Sequence, residues 1–139
     1  MELEGSSVTE RRISIVAFAK LVVKDLDAMA DFYRAVCGYG DGQRIEDAIA
    51  GRPIVEIVFA KPEGGAELVL LTFTEGPPPS PSGVIIAYDT DNIDAFQARV
   101  LAAGGSVVDP IKALEFGGKR MRIGIFADIE GYLLEVLER

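Results

Sequence analysis

Histidine is the most informative absence, because none of the 139 residues is a histidine. This excludes Ser-His-Asp and Cys-His catalytic groups, an imidazole general base, and a histidine ligand for zinc, iron or nickel. Any chemistry must therefore come from carboxylates, lysine, arginine, tyrosine, a single thiol or a bound cofactor.

Other scarce features exclude partners and compartments. Cys37 is the sole cysteine, so it cannot form an internal disulfide, which is typical of a reducing cytoplasm. Basic residues number 14 against 22 acidic ones, for a net charge of −8, and they form no stripe suited to nucleic acid or to an anionic membrane surface. The longest apolar stretch, Ile13 to Val23, contains Lys20 and is shorter than the ~20 residues that span a bilayer. We expect a soluble cytoplasmic protein.

The hydrophobic pattern predicts the same succession of elements twice. A polar arm over residues 1–12 precedes a first module over 13–74, and a second module covers 84–139. Each module is predicted to be strand, helix and three strands, with the helices capped by Asp25 and Asp91 and ended by glycine. The predicted elements of the first module are strand 13–23, helix 25–38, a loop or edge strand to about 47, and strands 53–60 and 66–73. Those of the second are strand 84–89, helix 91–104, and strands 106–108, 119–127 and 132–137.

Residues 75–83 are rich in proline and separate the two modules. Because proline lacks an amide hydrogen, this segment is predicted to be a linker. Neither module has enough sheet to bury its apolar strands alone. We therefore predict an α+β fold in which two βαβββ modules form a curved mixed β-sheet, a partly closed barrel-like cleft with the helices outside.

Two motifs carry a family resemblance over residues 13–138. They are Leu21-Val22-Val23-Lys24-Asp25-Leu26-Asp27, followed by Phe32-Tyr33, and the segment from Phe126 to Glu135 with its turn Asp128-Ile129-Glu130-Gly131. The chain thereby resembles the vicinal oxygen chelate superfamily, which includes glyoxalase I, fosfomycin and bleomycin resistance proteins, and extradiol dioxygenases. In that family the turn reads Asp-Pro-Asp-Gly, so Ile129 and Glu130 depart from it.

The resemblance implies four metal-ligand positions, two in each module. The first-strand positions, usually histidine in metal-dependent members, fall at Phe18 and Val84, and the last-strand positions fall at Glu67 and Glu135. Two carboxylates without imidazole make a poor site for zinc, nickel or iron. Magnesium or manganese could use two glutamates and waters, but Phe18 and Val84 would crowd the ion. We predict no metal and no other cofactor.

Glu67 and Glu135 allow two interpretations. They could be exposed on the sheet or paired with arginine, or they could lie together in the concave cavity as a general acid and base. Phe18, Val84, Ile86 and Leu133 would make that cavity apolar, with Tyr88 beside them. Arg120 and Arg122 could hold an anionic group, or they could be solvated.

Three functions remain open at this stage. The first is a metal-free protein that binds a small apolar or amphipathic molecule, for which an acidic interior would suit a cationic guest. The second is a lyase, isomerase or dioxygenase-like enzyme that uses Glu67 and Glu135 as acid and base, either without a metal or with an atypical one. A structural role is the third, although no residue pattern favours it. Because members of this fold often dimerise, we also expect a homodimer, with modules paired within a chain or exchanged between chains.

Overall fold

The computed structural model describes residues 14, 16–60 and 62–139, with the backbone alone at residue 116. The elements are β1 (Phe18–Val22), α1 (Leu26–Cys37), β2 (Gln43–Ile49), β3 (Arg52–Val58), β4 (Glu67–Phe73), β5 (Ile85–Thr90), α2 (Ile93–Ala102), β6 (Ser106–Phe116), β7 (Lys119–Ala127) and β8 (Leu133–Glu138). The predicted α+β fold with two βαβββ modules is confirmed. The predicted polar arm lies outside the described residues, as do residues 13 and 15 of the first predicted strand.

Each module forms one four-stranded mixed sheet. The strand order is β1-β4-β3-β2 in the first sheet and β5-β8-β7-β6 in the second. In both, the first and last strands of the module pair in parallel and the other pairs are antiparallel. The parallel pair requires a crossover connection, and the helix supplies it in each module. Neither sheet is closed into a barrel.

The helix boundaries follow the capping residues. The Asp25 side chain accepts a hydrogen bond from the Ala28 amide at 3.1 Å, and α1 ends at Gly38, whose φ of 81° is left-handed. The second helix begins one residue later than predicted, because Asn92, and not Asp91, accepts the Ala95 amide at 3.0 Å. None of the helices in the described part of the chain is long and apolar enough to span a membrane.

One hydrophobic core joins the modules. The core face of each sheet carries alternate strand residues that pack against the helices, such as Leu70 in β4 and Leu134 in β8, and the opposite side is called here the outer face. The buried helix residues include Met29 and Tyr33 of α1 and Phe96 of α2.

The predicted short strand over 106–108 is corrected, because β6 continues to residue 116. Its pairing with β7 shifts register between Val107 and Asp109 and again between Asp109 and Lys112. Pro110 lies in the second shift, where it has no amide hydrogen to donate to the ladder. Gly117 and Gly118, with φ of 60° and 77°, form the tight turn into β7. The irregular register hides the alternation by which a long strand would be recognised in the sequence.

The registers also show how the modules correspond. Phe18 pairs with Glu67 in the first sheet, and Ile85 pairs with Leu133 in the second. A residue of β1, α1 or β3 therefore has its counterpart 67 positions later, whereas a residue of β4 has its counterpart 66 positions later. The difference arises because ten residues separate the ladder partners Val58 and Val69 in the first sheet, whereas nine separate the corresponding partners Ile125 and Glu135 in the second.

The turn from Asp128 to Tyr132 connects the second module to the first, in a contact called here the closed joint. Glu130 accepts hydrogen bonds from the Lys24 and Asp25 amides, at 2.8 and 2.7 Å. The Tyr132 hydroxyl donates to the Val22 carbonyl oxygen, and Tyr132 is buried. The closed joint therefore fastens the start of α1 to the last turn of the chain.

A buried tyrosine hydroxyl completes the closed joint. The Tyr33 hydroxyl donates to Asp128 Oδ2 at 2.8 Å, while Asp128 Oδ1 accepts the Glu130 and Tyr132 amides at 2.9 and 3.0 Å. Packing is equally tight at Gly105, where a Cβ would lie 2.5 Å from the Ala127 carbonyl oxygen and 3.0 Å from the Phe32 ring.

Candidate functional site

A cavity of about 720 Å³ opens between the modules. It lies where the start of β1, the residues after α1, the turn before β4 and the edge strand β5 meet. Its lining residues are Val16, Phe18, Ala19, Cys37, Gly38, Tyr39, Gly40, Ala60, Pro62, Glu63, Gly64, Gly65, Ala66, Glu67, Leu68, Ile86, Ala87, Tyr88 and Asp89. Volumes of this size are typical of sites for small organic ligands.

Aromatic side chains form much of the cavity wall. Phe18 is 43% exposed at the start of β1. Tyr39 stacks on Phe59 with ring centroids 4.6 Å apart, and its hydroxyl lies 3.2 Å from the Tyr88 hydroxyl. The wall thus offers ring faces together with one pair of hydroxyl groups that can donate or accept.

Burial keeps the two tyrosine hydroxyl groups and the cysteine thiol of this wall neutral. It raises the pKa of Tyr39 and, far more strongly, that of Tyr88, although the hydrogen bond with Tyr88 opposes the effect at Tyr39. Burial also raises the pKa of the Cys37 thiol to about 12, against the opposing effects of Tyr88 and Arg99. Cys37 is therefore a protonated thiol near neutral pH and a poor nucleophile, as its place in an apolar wall favours.

Three carboxylates line the cavity. Asp89 forms a salt bridge with Arg139, Nε to Oδ1, at 2.9 Å. Within the described ranges, no side chain or amide donates a hydrogen bond to the carboxylates of Glu63 and Glu67, and neither forms an ion pair. No lining residue that the structure describes is basic; Lys61 lies outside the described residues. The charge of this wall suits a cation.

The structure divides the predicted site residues into two groups. Phe18, Glu67, Ile86 and Tyr88 line the cavity. The others lie outside its lining: Val84, Arg120, Arg122, Leu133 and Glu135.

Neither predicted arginine faces the cavity. Arg122 pairs with Asp94 at 2.7 Å and lies 3.8 Å from Glu138, so its guanidinium group is engaged at the start of α2. Arg120 is exposed on β7 opposite Glu115 of β6.

The expected equivalence of Glu67 and Glu135 is corrected by the registers. The counterpart of Glu67 is Leu133, and Glu135 pairs with Ala87, two residues further along the ladder. Likewise, the counterpart of Phe18 is Ile85, because β5 begins one residue after Val84. The extra residue between the ladder partners of β3 and β4 misleads counting along the sequence. Glu67 and Glu135 lie in different sheets, and only Glu67 lines the cavity.

The residues at the metal positions implied by the resemblance do not fit a metal ion. Glu67 has Phe18 as its neighbour in the ladder, and Phe18 carries no ligand atom. Among the residues that the structure describes, no three Cys, Asp or Glu side chains are grouped closely enough to hold a metal.

Several lining residues escaped sequence reasoning. Tyr39 directly follows the glycine that ends α1, and Asp89 follows Tyr88 on β5. The segment from Pro62 to Gly65 is predicted only as a connection, and Ala66 only as the first residue of a strand. These residues share a position at the junction of the two modules. That position can be recognised only once the strand register is known.

A family model matches residues 13–136, and its description is Glyoxalase/Bleomycin resistance protein/Dioxygenase superfamily. A comparison with curated protein sequences found no match to the chain.

Solved structures share the fold at low sequence identity. A glyoxalase family protein from Bacillus cereus is 15% identical with a TM-score of 0.74, covering 96% of this chain and 98% of that one. A glyoxalase/bleomycin resistance protein from Albidiferax ferrireducens T118 is 21% identical with a TM-score of 0.68, covering 91% and 100%. A glyoxylase/bleomycin resistance protein/dioxygenase domain from Frankia sp. EAN1pec is 21% identical with a TM-score of 0.66, covering 91% and 98%.

Proposed function

The chain belongs to the Glyoxalase/Bleomycin resistance protein/Dioxygenase superfamily, and from this premise we propose that it binds a small apolar or amphipathic molecule without a metal ion. The observation that carries the proposal is the cavity between the modules, which is large enough for such a molecule and is walled by Phe18, Tyr39, Ile86 and Tyr88. Burying ring surface against such a wall favours binding by about 25 cal/mol per Å².

Loss of the metal site is part of the proposal. The chain has no histidine, and apolar Phe18 and its counterpart Ile85 stand at the first-strand positions. Phe18 provides ring surface where a metal-dependent relative would place an imidazole. The position thus changes from metal binding to ligand packing.

An acid/base enzyme remains the alternative function, and in the form predicted from the sequence it requires Glu67 and Glu135 beside one substrate. The cavity contains Glu67 but not Glu135, and Tyr39, Tyr88 and Cys37 are kept neutral by burial. These features support binding over proton transfer.

We propose further that the protein is a homodimer. The outer face of the second sheet carries partly exposed Ile123, Ile125 and Leu137 around Glu135, and Ile85 at its edge is 59% exposed. An apolar sheet face of this kind is typical of a surface covered by a second copy. Light scattering should give twice the 14.9 kDa chain mass, and Ile125→Asp should give a monomer. A monomeric wild-type protein would contradict the dimer without affecting the binding proposal.

Fluorescence of the neutral probe N-phenyl-1-naphthylamine tests the binding proposal. Saturable binding is expected, unchanged by a chelator, in protein whose metal content is far below one ion per chain. Phe18→Ala should weaken binding about fivefold, because half of a phenylalanine ring is worth about 1 kcal/mol. Val84→Ala is the matched control, since Val84 is 44% exposed but does not line the cavity, and it should change binding less than twofold. Absence of saturable binding, or binding that a chelator abolishes, would contradict the proposal.

A further inference from the structure

The cavity and the closed joint lie at corresponding junctions of the two modules, on opposite sides of the molecule. The closed joint sets the turn before β8 against the end of β1. The corresponding elements, the turn before β4 and the end of β5, both line the cavity. We call this second junction the open joint. The glycines after the helices also differ, since a Cβ at Gly105 would lie 2.5 Å from the Ala127 carbonyl oxygen, whereas a Cβ at Gly38 or Gly40 would meet nothing within 4 Å.

One residue pair contributes to the difference between the joints. Tyr132 directly precedes β8 and fills the closed joint with its ring, whereas its counterpart Ala66 directly precedes β4 and has only a methyl group. The space that a tyrosine ring would take at the open joint is therefore part of the cavity.

The main-chain acceptor of the closed joint also has a counterpart. The Val23 amide donates to the Leu71 carbonyl oxygen in β4, so the carbonyl group of Val22 points to the free edge of the sheet and accepts the Tyr132 hydroxyl. Asp89 pairs with Leu137 as Val22 pairs with Leu71, and β5 is likewise an edge strand. The same alternation directs the Asp89 carbonyl oxygen to the edge that lines the cavity.

Charge adds a further requirement. Glu63 and Glu67 border the cavity without an ion-pair partner in the described part of the chain. Lys20 lies two residues after Phe18 on β1, and its Nζ is already paired with Glu56 Oε1 at 2.9 Å. A ligand that brings a positive group to Glu67 would gain a charge-assisted hydrogen bond, whereas an anionic ligand would be repelled.

We propose that the cavity takes an arylalkylamine: a flat ring with a hydrogen-bond donor that replaces the missing tyrosine of the open joint, and an alkylammonium group that pairs with Glu67. The ring lies beside Ala66, and its donor faces the Asp89 carbonyl oxygen. Cations also interact favourably with the ring faces of Phe18, Tyr39 and Tyr88. This assignment rests on the proposed function and names the ligand class of the same cavity.

Displacement of N-phenyl-1-naphthylamine by small probes tests the ligand class. Tyramine should displace it at least tenfold more effectively than 4-hydroxyphenylacetate, which has the same ring and hydroxyl but the opposite charge. Phenethylamine, which lacks the hydroxyl donor, should be weaker than tyramine by about fivefold. If the naphthylamine binds but tyramine competes no better than the anion, the ligand class is wrong while the binding proposal stands. Failure of the naphthylamine itself to bind would instead contradict the proposed function.

Three variants locate the ligand. Ala66→Tyr should reduce tyramine binding more than tenfold while the melting temperature holds or rises, because the new ring completes the open joint. Val84→Ala, at a residue outside the cavity lining, is the control and should stay within twofold of the wild type. Glu67→Gln should weaken tyramine about fivefold or more and leave the neutral naphthylamine within twofold. Wild-type tyramine affinity in a folded Ala66→Tyr protein would overturn the proposal; if that variant does not fold, Glu67→Gln and the probe series decide it.

Discussion

The closed joint and the open joint connect corresponding elements of the two modules, but protein side chains fill only the first. At the closed joint Tyr132, Glu130 and Asp128 make hydrogen bonds across the module boundary, and Gly105 permits tight packing. At the open joint the chain has Ala66 in place of Tyr132, and a cavity of about 720 Å³ follows. The comparison indicates that the closed joint holds the modules together, while the open joint leaves space for a ligand. Substitutions in the closed joint should therefore affect stability, and matched substitutions in the open joint should not.

Tyr132→Ala should have the largest effect, because it gives the closed joint the residue of the open joint. Removing a buried aromatic side chain costs about 3–5 kcal/mol of unfolding free energy. Tyr132→Phe keeps the ring and removes only the hydrogen bond to Val22, so it should cost about 1 kcal/mol. Urea unfolding measures both, and a Tyr132→Ala loss below that of Tyr132→Phe would contradict the importance of ring packing.

Gly105→Ala should have the next largest effect. Its Cβ would lie 2.5 Å from the Ala127 carbonyl oxygen and 2.7 Å from Val100 Cγ1, so helix and turn must separate. Overpacking of this kind costs about 1–3 kcal/mol. Gly40→Ala is the control in the open joint, because a Cβ there meets nothing within 4 Å and the backbone is not left-handed. Its unfolding free energy should stay within about 0.5 kcal/mol of the wild type; equal losses in the two variants would remove the distinction between the joints.

Glu130→Ala should have a moderate effect. The carboxylate accepts two main-chain amides at the start of α1, where a negative charge is favoured by the helix dipole. Its loss should cost about 1–2 kcal/mol. Glu63→Ala removes a carboxylate from the turn of the open joint and should cost less than about 0.5 kcal/mol. A larger loss for Glu63 than for Glu130 would mean that the open joint also holds the modules together.

Local signals predicted most of the fold. Strand β7 has the predicted bounds, and α1 begins after Asp25 and ends before Gly38, because caps and alternation are written in neighbouring residues. The joints depend on a different kind of information. A one-residue difference between two connections decides that Tyr132 corresponds to Ala66 and that Glu135 does not correspond to Glu67. No local pattern reports a register across 66 residues. For this reason the predicted site included Phe18, Glu67, Ile86 and Tyr88, which line the cavity, but not Tyr39 or Ala66, which also line it.

Asp128→Asn should have the smallest effect, which appears as a change in pH dependence. Burial raises the pKa of the Asp128 carboxyl above its ordinary value, although the Tyr33 hydroxyl and the amides of Glu130, Tyr132 and Gly131 oppose the increase. The folded protein therefore holds this proton more tightly than the unfolded chain does. The resulting stability is fully present below the unfolded pKa of about 3.9 and is lost as the pH rises through the folded pKa. Asparagine has the same shape and does not titrate, so the variant should gain relative to wild type above pH 4, by at most about 1.4 kcal/mol per pH unit.

Asp94→Asn provides a control of opposite sign. Its hydrogen bonds to Arg122 lower the pKa of Asp94, so this group contributes stability above its unfolded pKa and loses it as the pH falls. As the pH rises, the unfolding free energy of the wild type should increase relative to Asp94→Asn below about pH 4, whereas that of Asp128→Asn should increase relative to the wild type above about pH 4. Urea unfolding from about pH 2.5 to 7 measures both changes. The same direction of change in both variants would contradict this expectation. It would mean that the pKa of Asp128 is lowered like that of Asp94, because its hydrogen bonds from Tyr33 and the turn outweigh its burial.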